Sequence, residues 1–206
     1  MNERARALTA GVALLERAID YTLGSLRVVS PAVLCRPTPC ARWNLQALLD
    51  HMQDSFEALN EAALGHVATT RSPVPVGGPA PIGGPALRNS ALRNPALLLR
   101  DCATEVLGSW AGTIRTEVIS VGNVPMTAPM VAVAGAIEIA VHGWDIARAC
   151  GERRPIPPAL AEELLDLAHL FVTDQDRPVR FAARRRPPAL GSAQDHLLAY
   201  LGRDPK

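Results

Sequence analysis

From Glu3 to about Val29 the apolar residues Leu8, Val12, Leu15, Ile19, Leu23 and Leu26 recur at three- and four-residue spacing, which predicts one long amphipathic helix. Pro31, Pro37 and Pro39 then interrupt regular structure. Asn44 stands at an N-cap position before Leu45, Leu48, Leu49, Met52, Phe56, Leu59 and Leu64, so a second helix runs to about Gly65. Residues 72–95 hold six prolines and four glycines, with GGPA written twice (77–80 and 83–86) and ALRN twice (86–89 and 91–94). That composition predicts a loop or mobile linker, and duplications this short fit slippage better than a repeat architecture. Asn94-Pro95 places a cap before a proline at the first helical position, and Leu98, Leu99, Cys102, Val106, Leu107 and Trp110 carry a third helix to about Thr116. Gly122, Asn123, Pro125 and Pro129 predict turn or short strand over 118–130. A fourth helix, about Met130 to Cys150, is apolar nearly all round and stopped by Gly151, the signature of a helix in the middle of a bundle. Pro157-Pro158 opens a fifth through Leu160, Leu164, Leu167, Leu170 and Phe171, and Ser192 caps a short one at Gln194 to Leu201. Alternating strand patterns are nearly absent. The predicted fold is therefore all-α, a four-helix bundle with a short C-terminal helical extension, in a single domain over 1–206.

Composition narrows the function. With 206 residues, 48% apolar and 20% charged, the chain has the ordinary globular ratio, which excludes disorder along its whole length. Twenty-one basic and 20 acidic side chains leave a net charge of +1, and the basic runs Arg153-Arg154 and Arg184-Arg185-Arg186 are short and free of interleaved aromatics. No nucleic-acid partner is expected. Gly24, Arg27, Glu138 and His142 interrupt the longest apolar stretches, so no membrane span is expected, and the N-terminus lacks the apolar region of an export signal. The expected location is the cytoplasm. Cysteines at 35, 40, 102 and 150 form no CxxC pair and are expected to be free thiols, with a Cys35–Cys40 bridge as the lesser alternative.

Chemistry concentrates in the fourth helix. Glu138 and His142 are four residues apart and share a face of the most apolar helix in the chain. An ionised carboxylate among apolar side chains costs several kcal/mol unless it is paired or bound to a metal. An ion pair between the two satisfies that requirement, and so does a cation. His51, among Leu48, Leu49 and Met52 of the second helix, supplies a third potential ligand. Two imidazoles and a carboxylate form a recurring divalent-metal set that leaves positions open for water or substrate. Zinc is the first choice of metal, and nickel, iron and manganese accept the same ligands. Among the neighbours, Trp43 and Trp144 read first as packing. Asp145 reads first as the partner of Arg148 or another arginine and second as a residue orienting His142, and Asp54 could support His51. His66, His169 and His196 read as solvated.

The stretch Thr38-Pro39-Cys40-Ala41-Arg42-Trp43-Asn44, then Leu48-Leu49-Asp50-His51, and later Glu138-Ile139-Ala140-Val141-His142-Gly143-Trp144-Asp145-Ile146-Ala147-Arg148-Ala149-Cys150-Gly151, resembles the DinB-like superfamily. Within it the chain is most similar to actinobacterial metal-binding proteins related to mycothiol-dependent maleylpyruvate isomerase, and the ending Asp195-His196-Leu197-Leu198-Ala199-Tyr200-Leu201-Gly202-Arg203-Asp204-Pro205 matches that subgroup. The resemblance implies a four-helix bundle whose divalent metal is held by His51, Glu138 and His142. It also implies mycothiol as a co-substrate thiol and an electrophilic small molecule as its target, in a transferase or isomerase reaction. Arg42 or Arg148 could then hold a carboxylate of thiol or substrate. Two features depart from the isomerase branch: only 55 residues follow Gly151, too few for the additional C-terminal domain found there, and the connection at 72–95 is longer than usual. The alternative is a non-catalytic metal-binding bundle acting as a binding or stress-response module. A homodimer through a helix face is compatible with either.

Overall fold

A computed structural model describes residues 3–40, 43–67, 94–111, 118–177 and 181–205. Residues 72–93 of the loop predicted at 72–95, the end of the third helix at 112–116 and Arg42 lie outside the described residues.

Among the described residues there are six α-helices: α1 (Glu3–Ser25), α2 (Leu45–Ala63), α3 (Pro95–Ala111), α4 (Ala128–Ala149), α5 (Pro158–Phe171) and α6 (Ala193–Tyr200). Pairing of α1 with α4, α4 with α2, α2 with α3 and α3 with α1 closes the ring of a four-helix bundle, while α5 and α6 pack on each other beside it. The chain is thus mostly helical, as its periodicity predicts. The buried face of α1 is Leu14, Leu15, Ala18 and Ile19, and that of α2 is Leu48, Leu49, Met52, Phe56 and Leu59. Each of the leucine, isoleucine, methionine and phenylalanine side chains among them contributes roughly 1.5–3 kcal/mol when fully buried. Caps appear where the sequence puts them: the Asn44 side chain accepts from the Ala47 N–H at 2.9 Å, and Asn94 Oδ1 accepts from that of Ala96 at 3.0 Å. The predicted first helix is shorter than its apolar pattern, since Leu26–Val28 tightens into a 3₁₀ turn.

The helices α1 and α4 cross closely. Thr22 Oγ1 donates to the Ile139 carbonyl at 2.8 Å, and a Cβ added at Gly143 would lie 2.3 Å from that same Oγ1. Only glycine leaves room for the crossing at this level of α4, one residue past His142. The helix α4 is long and apolar enough to cross a bilayer by length and composition, despite Glu138 and His142, but 78% of that stretch is buried inside the protein. Its hydropathy is that of a central helix.

A small sheet is the main addition to the predicted all-α scheme. Strand β1 (His66–Val67) runs parallel to β2 (Val118–Val121), which pairs antiparallel with β3 (Val124–Thr127). Val121 faces Val124 across a two-residue turn in which Gly122 has φ 55° and Asn123 φ 66°. Positive φ at both central residues is the hairpin geometry that Gly and Asn favour. Strands of four residues are too short for alternation to stand out in sequence, and only the turn chemistry is visible there.

Candidate metal centre

His51 lies in the second turn of α2, Glu138 at the middle of α4 and His142 one turn further on, so the α2/α4 pairing brings them together. His51 Nε2 is 2.5 Å from Glu138 Oε1, across 87 residues of chain, and His142 Nε2 is 3.2 Å from the same oxygen. One donor atom from each of the three residues lies within 4.8 Å of the other two. Ligands about 2.0–2.2 Å from a zinc ion stand roughly 3–3.5 Å from each other. The Glu138–His142 edge already has that spacing, and the His51–Glu138 edge reaches it by opening under about 1 Å.

The surroundings aim these atoms. Asp145 Oδ2 accepts from His142 Nδ1 at 2.9 Å, which leaves the Nε2 lone pair for a ligand. The same Oδ2 accepts from Arg203 Nη2, also at 2.9 Å. Asp145 is thus both the partner of an arginine and the residue that orients His142. Its arginine is Arg203, from 58 residues downstream; Arg148 stands instead with its guanidinium 5.6 Å over the Trp144 ring. Trp144 is packed in the core as expected. Trp43 does more than pack: its ring centroid lies 4.5 Å from that of His51 and 5.9 Å from that of His142. The loop before α2 puts it there, because the Trp43 N–H donates to the Cys40 carbonyl at 2.9 Å and Thr38 Oγ1 donates to the Trp43 carbonyl at 2.9 Å.

The cluster is closed at the back and open at the front. His142 has 5% of its side chain exposed, against 33% for His51 and 32% for Glu138. Burial works against charge on both α4 residues, but the imidazoles of His142 and His51 hold the Glu138 carboxyl well below the usual carboxylate range. In turn the Glu138 and Asp145 carboxylates overcome burial at His142 and push its pKa up to about 9. Glu138 is therefore ready to bind a cation at neutral pH, whereas His142 must first give up a proton. Metal affinity should rise about tenfold per pH unit up to pH about 9 and then level off. Calorimetry of zinc binding at pH 7 in buffers of different ionisation enthalpy should show about one proton released. Without metal the same proton makes the His142 contribution to stability complete below pH 6.5, and it is lost as pH rises through about 9.

The remaining sequence candidates stay outside the cluster. His66, His169 and His196 are exposed, and His169 Nδ1 is 2.7 Å from the Leu165 carbonyl one turn back. Asp54 is exposed on α2. None of the four cysteines is in a disulfide; Cys35 is exposed and the others are half-buried. Sequence reasoning missed Arg203 altogether; the one signal was its place in the Gly202-Arg203-Asp204-Pro205 ending.

Comparison with known proteins assigns the chain to a family. Residues 15–147, the span that includes the three clustered residues, match the family described as mycothiol maleylpyruvate isomerase N-terminal domain. Two Mycobacterium tuberculosis proteins, the uncharacterized proteins MT0763 and Rv0738, are each 28% identical over 195 residues, covering 91% of this chain and 94% of theirs. No solved structure gives a significant match. With the bundle, the paired His and Glu on α4 and a match over most of its length, the chain belongs to the mycothiol maleylpyruvate isomerase N-terminal domain family, a DinB-like family.

Proposed function

We propose that this protein is a metal-dependent transferase or isomerase that uses a low-molecular-weight thiol, mycothiol in the first instance, against an electrophilic small molecule. The observation that carries the reading is the one-sided opening of the cluster: three donors converge, their back is sealed by Asp145, and their front reaches solvent between His51 and Glu138. His51, Glu138 and His142 would hold a divalent cation, with zinc the first choice and nickel, iron or manganese accepted by the same ligands. A cation bound there supplies positive charge that lowers the pKa of a thiol beside it, so that a thiolate is available near neutral pH.

The chain's own residues prepare that chemistry. Asp145 fixes the His142 tautomer, and Glu138 brings a negative charge that offsets part of the cation's. Trp43 covers one side of both imidazoles and offers an apolar wall at the mouth. No protein nucleophile is needed. The expected setting is the cytoplasm, with the small thiol and its electrophile as partners, neither nucleic acid nor membrane among them, and a homodimer compatible with this site.

The test is conjugation of mycothiol to a panel of electrophiles, with and without added metal. Turnover that needs both metal and His142 is expected. A metal-loaded protein that turns over none of them would favour the second reading, a non-catalytic bundle in which the ion ties α2 to α4 and stabilises the fold.

A further inference from the structure

The helix α6 ends in a Schellman turn. Gly202 has φ 85°, its N–H donates to the Ala199 carbonyl at 3.1 Å, and the Arg203 N–H donates to the Leu198 carbonyl at 2.8 Å. Glycine is required twice over, since the left-handed conformation disfavours any side chain and a Cβ here would lie 2.8 Å from the Ala182 Cβ. The turn sends Arg203 back into the protein instead of outward with the tail. There Nη1 donates to the Leu201 carbonyl at 3.0 Å and Nη2 to Asp145 Oδ2 at 2.9 Å.

Arg203 is 8% exposed and Asp145 fully buried. Burying a guanidinium against one carboxylate costs desolvation that an apolar pair of similar volume avoids, so stability alone does not account for it. The placement of the carboxylate does. Asp145 Oδ1 has no hydrogen-bond partner, and its orientation is therefore set through Oδ2, which Arg203 and His142 share.

We propose that Arg203 is a positioning residue of the metal centre: through Asp145 it sets the ring orientation and ligand strength of His142, which makes the C-terminal turn a working part of the site. The inference rests on the reading of His51, Glu138 and His142 as metal ligands. It deepens that reading by adding a support 58 residues away from Asp145 in sequence.

Zinc and cobalt affinities, measured by competition with a chelator, test it together with the visible absorption of the cobalt form. Arg203→Ala is expected to weaken both affinities roughly 10–100-fold and to shift the cobalt bands. Arg203→Lys keeps the charge and regains part of the loss. The double variant Asp145→Asn with Arg203→Met leaves no lone buried charge, so it should fold even where Arg203→Ala does not, and bind as weakly. Wild-type affinity and cobalt bands in a folded Arg203→Ala, or in the double variant, would overturn the proposal. A wild-type protein that binds neither metal would remove the ligand assignment itself and this inference with it, a result distinct from unchanged affinity in the variants.

Discussion

Replacing His142 with alanine should leave the protein without the roughly one divalent ion per chain that is expected of the wild type. The loss should go well beyond the roughly 10–100-fold that follows from removing a ligand's hydrogen-bond partner, because a donor 3.2 Å from Glu138 Oε1 disappears outright. His51→Ala should empty the site as well and disturb the fold less, since a third of the His51 side chain already faces solvent. Metal analysis of protein grown with supplied zinc is the measurement. Wild type and both variants equally free of metal, or equally loaded, would rule out the ligand set. The two α4 residues must also be distinguished from a packed ion pair, and the metal content does so directly: an ion pair between Glu138 and His142 needs no cation, and its loss would change stability alone.

The largest effect on stability is expected at Asp145. Asp145→Ala removes the carboxylate that faces both Arg203 and His142 and leaves the guanidinium buried without an opposite charge. Breaking a buried pair on one side costs about 3–5 kcal/mol. Urea unfolding of the metal-free protein should show that loss, and Asp145→Asn with Arg203→Met should recover much of it, because no unpaired charge remains. A loss under about 1 kcal/mol in the single variant would mean that water reaches the pair and screens it as it does at a surface. Arg203 and Asp145 also hold the tail to α4, so the same substitution should raise amide exchange in α6 before that in α1 or α2.

Most of the bundle was legible along the chain because its signals are local. The apolar stripes of α1 and α2, the Asn44, Asn94 and Ser192 caps, and the all-round apolar composition of α4 each depend on residues within a few turns of one another. The pair Glu138 and His142 was legible for the same reason: two ionisable groups at helical spacing in a helix with little else that is polar need a physical explanation. His51 could be nominated from its apolar neighbours, but nothing in its own helix says that it meets Glu138.

What the tertiary structure decided is everything that depends on contacts between distant segments. The convergence of His51 on Glu138, Trp43 lying against both imidazoles and the closure of β1 on the β2–β3 hairpin arise only when helices pack and loops turn back. Arg203 is the clearest case. In sequence it is a charged residue beside Asp204 near the end of the chain, where solvation is the default expectation. The left-handed turn at Gly202 and the packing of α6 against α5 carry it to Asp145, and the partner that the sequence located only as some arginine becomes a particular one. Sequence by itself determined which side chains had to be satisfied, since burial follows from periodicity. Which groups satisfied them was decided in three dimensions, since hydrogen bonds and ion pairs act over a few ångströms however far apart their residues lie along the chain.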